Sequence, residues 1–163
     1  MTASEYQLLC TQVRALAEGE PQWVSVFANA SALVMEALAD LNWAGFYLTD
    51  VSTEPQSLVL GPFQGKVACV RIAYEHGVCG TAAAQDASQL VPNVHKFAGH
   101  IACDSASNSE VVIPLHADGT VVGVLDIDSP LLERFSPEDL SGLEQLVHTI
   151  EEVVDFTGLP LGR

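Results

Sequence analysis

The chain has 163 residues, of which 48% are hydrophobic and 17% are charged. This length and composition are typical of one folded domain rather than of a disordered chain. Six basic residues against 21 acidic residues give a formal net charge of −15. Nucleic acids and anionic membranes both require a basic surface, so the charge argues against either as a partner.

The sequence shows no membrane-spanning or secretory segment. Its apolar runs stay far below the ~20 residues that a membrane helix needs. The N-terminal run MTASEYQLLCTQVRALAEGE has no basic region of the kind that opens a signal peptide. We therefore predict a cytoplasmic protein, in which cysteines stay reduced unless they cycle catalytically or bind a metal.

Two helices are predicted at the start of the chain. Ser4 and Gln7 match a capping box, which predicts a first helix over residues 4–17. Pro21 suits the first turn of a second helix, which the spacing of apolar residues extends to about Leu41.

From Asn42 onward the hydrophobic pattern becomes that of strands. Three successive strands are predicted at NWAGFYLTD, SLVLGPFQG and KVACVRIA. The small residues of VCGTAAAQDA predict a short helix, and a brief strand follows at QLV. The segment from Pro92 to Ser109 reads as a long irregular loop, and such loops inside compact domains are usually functional or mobile.

A hairpin and a closing helix complete the chain. The runs EVVIPLHA and TVVGVLDID flank Asp118-Gly119, a strong hairpin signal. Ser136 is the predicted N-cap of a last helix that carries an apolar stripe. This order of elements predicts the α+β class, with a central antiparallel sheet and N- and C-terminal helices packed on it. We assign residues 1–163 to one domain.

Two acids in the last predicted strand stand out because of their neighbours. Asp126 and Asp128 share one face of this strand, and alternation places Val122 and Val124 on that same face. The valines indicate that this face is at least partly buried. A carboxylate there needs a partner or a ligand.

Three cysteines and three acids lie within a single stretch of the chain: Cys69, Cys79, Cys103, Glu110, Asp126 and Asp128. An oxidisable thiol, a second thiol to resolve it and acids that move a proton are the parts of a reductase that works through a sulfenic acid. Crowded carboxyl groups disfavour ionising together, so one of them is expected to retain a proton.

Each of these residues also has a structural interpretation. A lone cysteine is more often a small buried hydrophobe than a nucleophile, and Cys79 beside glycine could simply pack. The polar run DSASNSE that begins beside Cys103 favours a functional role for that residue, whereas the pattern leaves Cys69 open. Trp43 and Tyr47 share a strand face and could equally be core aromatics or pocket walls.

Four motifs carry a specific resemblance. NWAGFYL, GVCG, IACDSASNSE and GVLDIDS closely resemble the free methionine-(R)-sulfoxide reductase family, a catalytic branch of the GAF domain fold. The resemblance extends from about the second helix to the last one, with the motifs in the family's order. It implies reduction of free methionine-(R)-sulfoxide with no bound cofactor, recycling by a thioredoxin-type reductant, and a fold that permits a homodimer.

The resemblance also implies roles for the cysteines. Cys103 matches the nucleophile, Cys69 the principal resolving cysteine and Cys79 an auxiliary one. Cys10 lies outside the motifs. Carboxylates near Cys103 would raise its pKa, which His100 or a helix N-terminus could offset.

The remaining matched positions are acids and aromatic residues. Glu110, Asp126 and Asp128 match the substrate-binding and proton-handling acids, and Trp43 and Tyr47 match the aromatic wall of the pocket.

Two other functions stay open at this point. A GAF sensory module would bind a small ligand and signal in trans to a partner. A metal site could combine the cysteines with His95 or His100, but the cysteine spacing lacks the paired C-x-x-C of structural zinc sites. We therefore predict no metal.

Overall fold

The structure is a computed structural model that describes residues 1–99 and 105–159. The helices and strands of the described chain occur in this order: α1 (Ala3–Ala17), α2 (Trp23–Ala37), β1 (Trp43–Asp50), β2 (Ser57–Gly65), β3 (Arg71–Ala73), α3 (Gly77–Gln85), β4 (Gln89–Val91), a 3₁₀ turn (Val94–Lys96), β5 (Ser109–Ala117), β6 (Thr120–Ser129) and α4 (Pro137–Val153). The predicted α+β class is confirmed. None of the helices within the described ranges has the length and apolar character to cross a membrane.

The strands form one six-stranded sheet in the order β3-β2-β1-β6-β5-β4. Every neighbouring pair is antiparallel. The hairpin predicted at Asp118-Gly119 joins β5 and β6, with positive φ angles of 50° and 73°. These angles fit the two-residue turns whose twist matches that of the flanking strands. The two central strands of the sheet are β1 and β6, which carry four of the eight predicted site residues: Trp43, Tyr47, Asp126 and Asp128.

An apolar core fills the space between one face of the sheet and helices α1, α2 and α4. Tyr6 and Leu9 of α1 join this core, and Phe27 of α2 stacks on Phe46 of β1 with ring centroids 4.3 Å apart. Burial of this helical stripe is the main force that holds the helices on the sheet. Helix α3 lies against the opposite face, where a second and smaller cluster contains Trp43.

The helix ends differ from the sequence predictions at three points. Helix α2 begins at Trp23 after the N-cap Gln22, so Pro21 lies before the helix and not in its first turn. The first capping box is formed by Thr2 and Glu5, not by Ser4 and Gln7, because Thr2 accepts the Glu5 N–H while the Glu5 carboxylate accepts the Thr2 N–H at 2.7 Å. Helix α2 ends at Ala37, four residues before Leu41, since residue 38 adopts an extended backbone. The Ser136 cap of α4 is confirmed.

Two strand predictions also need correction. Only Arg71–Ala73 of the run KVACVRIA is a strand, so Cys69 lies in an irregular segment before β3. Val122 packs in the helix-side core rather than beside Val124. The cause is a register shift between Leu115 and His116, which inserts one unpaired residue into β6 and reverses the alternation there.

His116 links α3 to α4 through two carboxylates. Its ring nitrogens lie 2.7 Å from Asp86 Oδ1 and 3.0 Å from Glu151 Oε1. Burial lowers the pKa of His116, but the hydrogen bonds that its ring donates to these two carboxylates outweigh burial and raise the pKa above its ordinary value. A raised histidine pKa contributes stability that is complete at low pH and is lost as the pH rises through the raised value.

We therefore expect His116→Gln to lower the free energy of unfolding at pH 6 by no more than about 1 kcal/mol, because the ring is a third exposed. The difference should shrink at pH 9, and urea unfolding at the two pH values measures it. His148→Gln, on the exposed surface of α4, is the control. If His116→Gln lowered the free energy of unfolding more at pH 9 than at pH 6, the raised pKa of His116 would be contradicted.

Candidate active site

The register of the central strands brings the predicted acids and aromatics together. On β6, Asp128 lies directly opposite Glu110 of β5 on one side and Trp43 of β1 on the other. Asp126 lies opposite Gly45 and Val112 in the same way. Directly opposed residues point to the same face of a sheet. The acids and the aromatics therefore share the face that α3 covers.

The innermost part of this face contains a thiol and two carboxyl groups. Cys79, Glu110 and Asp126 are only 3%, 6% and 6% exposed. The Cys79 thiol donates a long hydrogen bond of 3.9 Å to Glu110 Oε1. The sulfur and one oxygen from each carboxyl group all lie within 4.8 Å of one another, a spacing that would also suit a metal ion. His95, a metal-ligand candidate from the sequence, is outside this group and contacts Asn108 at 2.9 Å.

Burial and mutual repulsion keep protons on this cluster. Burial raises the pKa of Glu110 well above its ordinary value, and the charges of Asp126 and Asp128 raise it further. Burial also raises the pKa of Asp126 to about 7. Burial, with the same nearby acids, raises the pKa of Cys79 well above that of an ordinary thiol. At neutral pH, Glu110 can therefore donate a hydrogen bond, and Cys79 is a thiol rather than a thiolate.

One oxygen of this cluster lacks a partner. Oδ1 of Asp126 is buried and accepts no hydrogen bond from any residue in the described ranges. An unpaired buried carboxylate oxygen costs free energy unless a ligand, a water molecule or a proton satisfies it. The atom is therefore an acceptor available to a ligand with N–H or O–H groups.

Aromatic rings form a wall next to the acids. Trp43 stacks on Tyr47 at 5.8 Å between centroids and on Phe63 of β2 at 5.2 Å. Sequence reasoning missed Phe63. Its signal was Gly45, which pairs with Phe63 across the strands, because a Cβ on this glycine would lie 2.3 Å from the Phe63 Cβ. The glycine is therefore required for the stack.

The same rings hold the segment that carries Cys69. The Trp43 indole N–H donates to the Lys66 carbonyl at 3.2 Å, and the Tyr47 hydroxyl donates to the Cys69 carbonyl at 3.0 Å. Because the carbonyls of Lys66 and Cys69 accept hydrogen bonds from these side chains, they do not pair with a neighbouring strand, and β3 begins only at Arg71. Cys69 itself is half-buried and disulfide-bonded.

The other cysteines have different positions. Cys10 and Cys79 are free thiols. Cys103, the predicted nucleophile, and His100 lie outside the described residues. The structure thus gathers six predicted site residues on one face of the sheet: Trp43, Tyr47, Cys79, Glu110, Asp126 and Asp128.

The sequence matches known proteins over most of its length. A family model described as GAF domain matches residues 27–155. The free methionine-R-sulfoxide reductase of Escherichia coli K12 is 53% identical over 152 residues, which cover 93% of this chain and 90% of that protein. The chain belongs to the free methionine-R-sulfoxide reductase family. The resemblance inferred from the four motifs is confirmed.

Other members of this reductase family are also similar. The free methionine-R-sulfoxide reductase of Saccharomyces cerevisiae is 47% identical, with 86% of this chain and 81% of that protein covered. A solved structure of the Neisseria meningitidis enzyme, in complex with its substrate, superposes with a TM-score of 0.87 at 41% identity and covers 92% of this chain and 88% of that one.

Proposed function

We propose that this protein reduces free methionine-(R)-sulfoxide to methionine. The observation that carries the proposal is the unpaired buried oxygen of Asp126 beside Glu110, whose pKa is raised by burial, next to the aromatic wall of Trp43 and Tyr47. Free methionine sulfoxide offers an ammonium group for the carboxylate and an oxygen that needs a proton. Its apolar side chain suits the stacked rings.

The first step would use a cysteine and a carboxyl proton. The thiolate of Cys103 attacks the sulfoxide sulfur while a neutral carboxyl group protonates the sulfoxide oxygen. The bond that this attack forms between the two sulfur atoms breaks as the protonated oxygen passes to the cysteine, so methionine leaves and Cys103 becomes a sulfenic acid. The methionine sulfur gains two electrons and the cysteine sulfur loses two. The raised pKa of Glu110 supports it as a proton donor at neutral pH.

The second step would close a disulfide. The Cys69 thiol condenses with the sulfenic acid, releasing water, and an external dithiol then reduces the disulfide. The disulfide-bonded state of Cys69 supports this role. Cys79 would remain auxiliary, because a buried thiol with a raised pKa holds little thiolate.

An assay with separated sulfoxide diastereomers tests the proposed function. We expect rapid release of methionine from the free R form and none from the S form. An N-acetylated R substrate lacks the ammonium charge, so its kcat/KM should fall at least about 100-fold, in line with the loss of a buried ion pair. Equal rates for the free and acetylated R substrates would contradict the role of the acids.

The same assay separates the reductase from a sensor. A GAF sensory module acting in trans would bind the ligand without forming methionine. Binding detected by calorimetry with no product after hours of incubation with a dithiol would favour the sensor and overturn the proposed function.

We infer three further properties of the reductase. Residues 1–163 act as one domain, supported by the burial of Tyr6 and Leu9 of α1 in the common core. A homodimer through terminal helices is supported by Leu8 and Leu16, which are exposed on α1. A cytoplasmic location would give the cysteine relay its supply of reducing equivalents.

A further inference from the structure

Residues 66–71, here called the Cys69 segment, expose apolar side chains on both sides of the disulfide-bonded cysteine. Val67 is 88% exposed and Val70 is 67% exposed. These are the two most exposed large hydrophobic side chains in the described part of the molecule. Valines are usually buried, so two exposed ones that flank a redox-active residue indicate a contact surface for a partner.

The Cys69 segment is also a basic site on an acidic protein. Lys66 and Arg71 are two of the six basic residues of the chain, and the segment contains no acid. Lys66 is exposed, and the Arg71 side chain is half exposed although it contacts Asp50 at 2.8 Å. With 21 acidic residues elsewhere in the chain, these two cations give the segment a local attraction for an acidic partner.

Hydrogen bonds hold the Cys69 segment in place, and the segment lies at an edge of the sheet. The hydrogen bonds from Trp43 and Tyr47 fix the carbonyls of Lys66 and Cys69, and the Leu60 N–H donates to the Val70 carbonyl at 3.0 Å. The segment continues directly into β3, which is an edge strand of the sheet. A segment that is fixed by hydrogen bonds and lies at a sheet edge can meet another protein with little loss of conformational freedom.

We propose that the Cys69 segment is the docking surface for the reductant, a protein dithiol with an apolar surface around its attacking cysteine and an acidic rim. This inference rests on the proposed function. Val67 and Val70 contact the apolar surface of the reductant, and Lys66 attracts its rim. These contacts would bring the partner thiolate to the half-buried Cys69.

The reductant restores the Cys69 thiol in two steps of thiol–disulfide exchange. A thiolate of the reductant bonds to the Cys69 sulfur and breaks the protein disulfide, releasing the other cysteine as a thiolate. The second thiolate of the reductant then attacks the mixed disulfide, forms the disulfide of the reductant and releases Cys69 as a thiolate. Both released thiolates take up protons, and two electrons pass from the reductant to the protein.

The test assays the full-length chain with free methionine-(R)-sulfoxide as substrate and compares two reductants. Turnover is measured with thioredoxin and with dithiothreitol, for wild type and for the double variant Val67→Asp/Val70→Asp. We expect kcat/KM for thioredoxin to fall at least tenfold while the rate with dithiothreitol stays within twofold. Val24→Asp, at an exposed valine of α2, is the matched control and should leave both rates unchanged.

The dependence of the rate on ionic strength tests the role of the Lys66 charge. For wild type, kcat/KM for thioredoxin should fall as ionic strength rises, and Lys66→Glu should reverse that dependence. A thioredoxin rate within twofold of wild type in the double variant would overturn the docking inference. Absence of turnover with both reductants in wild type would overturn the proposed function itself, and the docking inference with it.

Discussion

Cys103→Ser is expected to abolish methionine formation, whereas Cys69→Ser is expected to form one methionine per enzyme molecule and then stop. Serine cannot accept the sulfoxide oxygen as a sulfenic acid, so the first variant has no productive chemistry. The second retains the nucleophile but cannot close the disulfide that a protein reductant recognises. Rapid quenching with thioredoxin present, followed by quantification of methionine, distinguishes the two.

The local structure explains why Cys79 is not expected to rescue Cys69→Ser. Cys79 is buried against Glu110, and burial and nearby acids raise the pKa of its thiol well above the ordinary value. It therefore presents little thiolate for condensation. Cys10→Ser, in a half-buried position on α1, is the control and should keep steady-state turnover. Steady-state activity in Cys103→Ser would show that the nucleophile was assigned wrongly.

Asp126→Asn is expected to lower activity and, at alkaline pH, to increase stability. The neutral amide of asparagine would offer no negative charge to the substrate ammonium, so kcat/KM should fall about 100-fold or more. In the folded protein, burial raises the pKa of Asp126 to about 7, compared with about 4 in an unfolded chain. The folded state therefore binds more protons than the unfolded state between these two values.

The sign of the stability change follows from that difference. The stability of wild type falls as the pH rises from about 4 through 7, because the buried carboxyl group must ionise. Asparagine removes this loss. Urea unfolding should therefore give similar free energies for the two proteins at pH 4 and a variant that is more stable by a few kcal/mol at pH 8.

Asp118→Asn, in the exposed turn between β5 and β6, is the matched control, because asparagine also tolerates the positive φ there. It should change neither activity nor the pH dependence of unfolding. If Asp126→Asn were less stable than wild type at pH 8, the carboxylate would be stabilised by its surroundings, and the proton-retaining cluster would be refuted.

Local sequence signals predicted the elements that depend on neighbouring residues. The hairpin at Asp118-Gly119 followed from the preference of these residues for positive φ, and the cap at Ser136 followed from its side chain. The motif resemblance identified the family because the four motifs keep that family's residue types and order. Alternation along β6 correctly placed Asp126 on a buried face, since strand periodicity is a local property.

The sequence alone therefore determined the class of fold and the family, and it named six residues that the structure gathers at one site, although it missed Phe63. Tertiary contacts decided the rest. The bulge that turns Val122 to the other face, the stack of Phe63 on Trp43 and the short β3 all depend on partners distant in the chain. The pKa values of Glu110 and Asp126 depend on burial and on acids from other strands, and neither exists until the sheet has formed.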